Sequence, residues 1–373
     1  MIVAKISKSK KQTKSPVPPR RRKFWLWFFL VLVMGAAGGA ALLWTAQATL
    51  VQPLAVGTDG LRIEVDSGSS LSRVLHRLEQ QGAVQHPRII RIYARLKDQT
   101  SIHQGEYMVP AGSNAMDLVA RLHRGDVTRY RVTLVEGWTF QQALMQIRAS
   151  DRIVKTPAGE SPQAAAAALG IDGNPEGQIF PDTYVYRSGI RDIDLLRQAH
   201  ARLQKVLSQE WEARADGLPY DDAYEALVMA SIVEKETGAP WERDEIAGVF
   251  VRRIEKGMRL QTDPTVIYGL GASYDGNLLR SHLRQATPYN TYVIGGMPPT
   301  PIALVGREAI HAALHPKDGD SLYFVAKGDG THHFSASLAE HNRAVRKYQL
   351  QRRSNYRSSP AAAESESPTE SEQ

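Results

Sequence analysis

The sequence predicts an α+β protein carried on one membrane-spanning helix, and three observations support that class. An uncharged run at 24–44 follows a basic N-terminus, short strands alternate with amphipathic helices through 61–150, and the segment Ala226–Val233 has helical character with no polar face. The organisation implied is a basic cytoplasmic segment at 1–23, an anchor at 24–44, a linker at 45–60, a small α+β module at 61–130, a larger α+β domain at 131–351 and a disordered tail at 352–373.

The anchor rests on length and charge. Residues 1–23 hold nine Lys/Arg and no acid, and the following 21 residues carry no charge. A run of about 20 apolar residues crosses the hydrocarbon core, and a basic block before it keeps that end in the cytoplasm. Trp25, Trp27 and Trp44 mark the two interfaces. Ala46-Gln47-Ala48 resembles a cleavage site, but the apolar stretch exceeds that of a signal peptide, so an uncleaved anchor is expected. The net charge of +7 comes from this N-terminus, and about −2 remains after residue 23. That excludes a nucleic-acid footprint, which would need a basic stripe in the folded part. A chain of 373 residues without cysteine has no disulfide framework and no Cys-ligated metal.

Three units then repeat a strand, a Gly-x-(Ser/Asn/Thr) cap and an amphipathic helix. The strands are Leu61–Val65, Gly105–Val109 and Tyr130–Val135, and the helices run through Leu71/Leu78, Met116/Leu122 and Phe140/Ile147. Ala158–Leu169 is a connection with a short helix, Tyr184–Arg187 a strand and Asp192–Arg214 a long amphipathic helix. After the apolar helix, Trp241–Lys256 reads as a helix stopped by Gly257, and Gln261–Asp263 as an extended segment broken by Pro264. Prolines 288, 298, 299 and 301 make a long loop that carries Tyr289, Asn290 and Tyr292. Loops on a rigid scaffold commonly line sites. A helix at Val305–Leu314, a hairpin of Leu322–Ala326 with Thr331–Ser335, and a helix at Leu338–Gln351 complete the pattern.

The apolar helix exits at Glu234, and a carboxyl leaving a buried helix is partly desolvated, which raises its pKa toward that of a general acid. At about 100° per residue Ser231, Glu234 and Gly238 share a face, whereas Glu236 lies roughly 200° from Glu234. Ordinary surface charge would give the same Glu-Lys-Glu pattern.

Four stretches carry a resemblance: EGQIFPDTY at 176–184, GLPYDD…ALVMASIVEKET, RRIEKGMRLQTDPTVIYGLG and TPYNTYVIGGMPPTPI. They are similar to the endolytic murein transglycosylases of the MltG (YceG-like) family, over most of 130–350 and more loosely over 60–130. The resemblance implies a LysM-like wall-binding module at 61–130 and a lysozyme-like catalytic helix. It also implies cleavage within peptidoglycan glycan strands to 1,6-anhydro ends, outside the inner membrane, beside wall synthases such as penicillin-binding proteins.

It places the catalytic acid at Glu234. Gln261 and Thr262 are expected to hydrogen-bond sugar hydroxyls or acetamido groups, Asn290 to point into the cleft, and Tyr268, Tyr289 and Tyr292 to offer flat faces. Asp263 is the candidate second carboxylate, and Glu236, on the opposite side of the helix, is assigned to substrate binding. Histidines 311, 315, 332, 333 and 341 lack an HExxH spacing, so no metal is expected, and His333 is left as a possible cleft residue. Lys235 would serve a pyridoxal-phosphate reading, which an external domain without cofactor supply disfavours; no cofactor is expected. The rival from another class is a non-catalytic peptidoglycan-binding scaffold that recruits synthases.

Overall fold

A computed structural model describes residues 20–350, with side chains from Lys23 onward. Most of the basic segment, at 1–19, and the tail expected at 352–373 lie outside the described residues. The chain forms two compact units that divide between Thr128 and Arg129.

Helix α1 (Arg20–Val51) begins the first unit. It is long and apolar enough to cross a membrane over Lys23–Val51, and its large apolar side chains from Phe24 to Trp44 are exposed. The segment expected to be a linker from residue 45 is therefore helical as far as Val51, and Leu50 and Leu54 already pack on the core of this unit. That core lies between a two-stranded antiparallel sheet, β1 (Leu61–Val65) and β2 (Gly105–Val109), and three helices. Helices α2 (Leu71–Gln80) and α4 (Ala115–Arg124) start where the caps predict. Ser70 accepts from the Arg73 N–H, and Asn114 forms a reciprocal box with Asp117. The intervening helix α3 (Pro87–Leu96) was not anticipated. Proline at its first turn supplies a preset φ and no orphan N–H, and Ile90 and Ala94 are its fully buried residues.

The second unit opens with β3 (Arg129–Thr133) and α5 (Phe140–Arg148), which the sequence reading had grouped with the two earlier strand–helix repeats. Pairing separates them: β3 runs antiparallel to β5 (Thr183–Arg187), Thr133 opposite Thr183. The short β4 (Ile153–Val154) pairs in parallel with β6 (Ile190–Arg191), and α6 (Pro162–Leu169) lies between them in sequence. Phe140, Leu144 and Ile147 pack here on Leu195 and Leu196 of α7 (Asp192–Glu212).

Helix α8 (Ala223–Glu236) has all eight residues from Ala226 to Val233 buried, as expected of a helix without a polar face. It is enclosed by Ile246 and Phe250 of α9 (Arg243–Glu255) and by Ile310 and Leu314 of α11 (Arg307–Leu314). Between these two, α10 (Asp263–Leu270) starts at the residue expected to be extended, because Pro264 favours the first helical turn. The predicted hairpin is present as β7 (Tyr323–Ala326) with β8 (His332–Ser335). Helix α12 (Leu338–Val345) follows, and the chain continues as a wider π-type turn to Leu350.

Asp192 ties the start of α7 to its surroundings. Fully buried, it accepts from the Thr156 N–H at 3.1 Å and the Thr156 hydroxyl at 2.6 Å, and pairs with the Arg148 guanidinium. A Cβ on Gly159 would lie 2.2 Å from its carboxylate, so only glycine admits this packing. Asp192→Ala should cost about 3 kcal/mol, the low end for breaking a buried pair, because Arg148 remains 25% exposed. Urea unfolding measures it, and a loss under ~0.5 kcal/mol, the range of ordinary surface changes, would show that the network holds nothing.

Candidate active site

The apolar sides of α8 leave its last turn, Glu234-Lys235-Glu236, to carry the polar chemistry, and the three side chains go three ways. Ser231 fixes the helix beneath them, donating to the Val228 carbonyl at 2.7 Å and accepting from the Ile302 N–H at 3.0 Å.

Glu234, 6% exposed, accepts from the Gly306 N–H at 3.0 Å and lies 3.4 Å from Arg243. Arg243 is shared, pairing closely with Glu308 and approaching Glu136 at 3.9 Å. Burial raises the Glu234 pKa; the Gly306 N–H and Arg243 draw it down, and Glu136 and Glu308 push it up. A Cβ on Gly306 would fall 2.0 Å from the Glu136 carboxylate, so a larger residue there would push that half-exposed side chain aside.

Glu236 goes to the other side and meets the segments that the sequence reading had singled out. It accepts from the Thr262 hydroxyl. Burial pushes its pKa up to about 7, the Thr262 bond and Arg253 lower it, and Asp263 raises it. Asp263 in turn accepts from the Tyr292 hydroxyl at 2.7 Å. Thr262 is nearly fully buried and takes the Thr291 hydroxyl as acceptor for its N–H at 3.0 Å. Arg253 braces the segment, donating to the Leu260 carbonyl at 2.7 Å and the Leu322 carbonyl at 2.7 Å. Gln261 is held at φ 52°, its N–H on the Thr291 carbonyl at 3.2 Å. A non-glycine residue there is strained by about 1–3 kcal/mol, and such strain persists where neighbours impose it.

Lys235 donates to the Gly137 carbonyl at 3.1 Å and borders a cavity of about 1150 Å³. Thr139, Gln142, Glu176, Pro264, Tyr268 and Tyr289 also line it, whereas Glu234 and Glu236 flank Lys235 without lining it. The Tyr268 and Tyr289 rings meet edge to face at 4.9 Å. Glu176 was not picked out as a site residue and had only its motif as a signal. It accepts from the Phe140 N–H at 2.7 Å at the start of α5 and from the Tyr268 hydroxyl at 3.2 Å, and burial raises its pKa to about 7.

The structure thus brings together Glu236, Thr262, Asp263 and Tyr292, with Gln261 adjoining and Tyr268 in the cavity. Asn290 is elsewhere: it is fully buried, donates to the carbonyls of His282 at 3.1 Å and Gln285 at 2.7 Å, and accepts from the Tyr292 N–H at 3.0 Å. It staples the loop and does not face the cavity. His333 is exposed and rests beside Tyr348, away from both glutamates.

A buried helix ending in carboxyl groups of raised pKa, beside a cavity with tyrosine faces, is an arrangement suited to acid–base chemistry. The YceG-like family model matches residues 63–347, and the chain belongs to that family. The endolytic murein transglycosylase of Bacillus subtilis (strain 168) is 29% identical over 311 residues, 77% of this chain and 84% of that protein. The protein of the same name from Streptococcus pneumoniae serotype 2 is 25% identical over 318 residues, which span 57% of its length. A yceG-like crystal structure from Listeria monocytogenes aligns with TM-score 0.48 at 27% identity, over 77% of this chain and 99% of that one.

Two outcomes follow from the geometry. Asn290→Ala leaves two carbonyls and an N–H without their partner inside the protein, each costing about 1–3 kcal/mol, so it should destabilise the fold by ~2 kcal/mol or more; unchanged urea unfolding would return Asn290 to the cleft. Glu176 and Glu236 have folded pKa values near 7 against an ordinary 4.5. Protonation therefore favours the folded state, and that contribution is complete below pH 4.5 and lost as pH rises through 7. A Glu176→Gln/Glu236→Gln variant should gain stability relative to the native chain across this window, and parallel pH–stability curves would show both carboxyls to be solvated.

Proposed function

We propose that this protein is an endolytic peptidoglycan lytic transglycosylase, cleaving MurNAc–GlcNAc bonds inside glycan strands, and that its catalytic acid is Glu236. The observation that carries the reading is one partly buried carboxyl of pKa about 7 at the end of α8, hydrogen-bonded by Thr262 and flanked by Asp263 and Tyr292. The names of its relatives supply the substrate class.

Both glutamates are chemically suited, and their neighbours decide between them. Arg243 favours the carboxylate form of Glu234 and, with Glu308 and Glu136, closes an ion network around it. Around Glu236, burial and then the negative charge of Asp263 favour the protonated form that an acid needs, and they outweigh the Thr262 hydroxyl and Arg253, which favour the carboxylate. Glu234 then braces α8 against Gly306, at the start of α11.

The chemistry needs one such group. Protonated Glu236 gives its proton to the glycosidic oxygen as the C1–O bond breaks. The carboxylate then takes the proton of the MurNAc C6 hydroxyl while O6 bonds to C1, which yields a 1,6-anhydro end and consumes no water. A pKa near 7 serves both transfers. Asp263, engaged by Tyr292, orients that hydroxyl without activating water. The 1150 Å³ cavity beside Lys235 has the tyrosine faces and amide side chains that sugar rings pack against.

Around this centre we place the anchor with its N-terminus in the cytoplasm and the enzyme in the periplasm, as the basic block before the span supports. The first unit, with its two strands and capped helices, is assigned as a LysM-like wall-binding module. Cutting within nascent strands would end their elongation, so peptidoglycan synthases are the expected partners.

Purified protein incubated with peptidoglycan tests the reading by mass spectrometry of the released ends. Glu236→Gln should lower the rate about 10²–10⁴-fold with anhydro ends throughout, and Glu234→Gln should lose less activity but more stability. The reverse ranking would restore Glu234 as the acid, and reducing ends would make Asp263 a base that activates water.

A further inference from the structure

We propose that Glu210, His311 and His315 form a binding site for a divalent transition-metal ion of the zinc type, linking α7 to α11. None of the three side chains bonds to either glutamate of α8, and nothing in the chemistry above uses them.

Three observations converge. One ligand atom from each of the three side chains lies within 4.8 Å of the other two. The two imidazoles lie with centroids 4.2 Å apart and planes tilted 32°, and His311 Nδ1 is 3.0 Å from a Glu210 oxygen. His315 Nε2 is buried with no hydrogen-bond partner. A buried ring nitrogen without a partner costs free energy, and a metal ion coordinated there removes that cost.

The surroundings suit an ion held by protein and water together. Glu210 is buried near the end of α7, and Arg307 pairs closely with its other oxygen, which leaves one oxygen for the metal. A cavity of about 520 Å³, bordered by Glu210, His311 and Trp241, gives access and room for water ligands. The charged groups lining that cavity are Arg243, Asp244, Arg307 and Glu308. Tetrahedral zinc with bonds of about 2.0–2.1 Å brings its donors to roughly 3.4 Å of each other, so the three donor atoms have only to settle from within 4.8 Å to that spacing. Two imidazoles and one carboxylate select zinc, nickel or copper over magnesium or calcium. Bound metal would hold Glu210 and His311 in one geometry and fix α11, whose preceding Gly306 supports Glu234.

The test uses the full chain without a polyhistidine tag, in detergent, stripped with EDTA and dialysed against ZnCl₂. Elemental analysis should find one zinc per chain, and thermal unfolding should rise in temperature with ZnCl₂ but not with MgCl₂. His311→Ala alters an exposed side chain, and its folding is checked by circular dichroism. It should weaken zinc binding by about tenfold or more and abolish the thermal shift, as should His315→Ala. Absence of retained zinc in the native chain would overturn the proposal. So would undiminished zinc binding or an undiminished shift in folded His311→Ala, which would locate the metal elsewhere.

Discussion

Desolvation at the end of α8 is the constraint on which the rest of the second unit depends. A helix buried on every side for eight residues meets the first charges after that run in its last turn, where the Glu234 and Glu236 carboxyls are largely shielded from bulk water. Each is met by a partner from another part of the chain: Gly306 and Arg243 at Glu234, the Gly137 carbonyl at Lys235, Thr262 at Glu236. Four segments, around Gly137, Arg243, Thr262 and Gly306, are thereby brought to one helical turn.

Two arginines of α9, Arg243 and Arg253, do different work. Arg243 compensates negative charge from three glutamates. Arg253, stacked 5.1 Å from the centre of the Tyr323 ring, spends its donors on backbone carbonyls and so shapes the segment that presents Thr262. Gln261 keeps its left-handed backbone inside this brace, one residue before the hydroxyl that meets Glu236. Rigidity there comes from backbone pairing, in a region where the sequence shows only polar residues and a proline.

Much of the fold was legible because periodicity and caps are local. Ser70, Asn114 and Thr139 announce their helices, and the unbroken apolar run announces burial. Helices α3 and α10 were missed because each is short and opens with a proline, which reads in sequence as a break. The helical-wheel argument gave the right directions for Glu234 and Glu236, which do leave the helix on different sides. It could not say which side faces the Thr262–Asp263 segment, since that depends on contacts made 26 residues later. The place of Asn290 was hidden for a similar reason: a polar side chain in a proline-rich loop serves equally well as the loop's own hydrogen-bonding hub.

The continuity of α1 beyond Trp44 changes what the anchor does mechanically. A tether of coil would let the first unit wander, but seven further helical residues at 1.5 Å each carry the chain about 10 Å before Leu50 and Leu54 meet the core. The anchor is then a post of fixed height. A core joined to the apolar span in this way keeps its distance from Trp44 for as long as the helix stays wound.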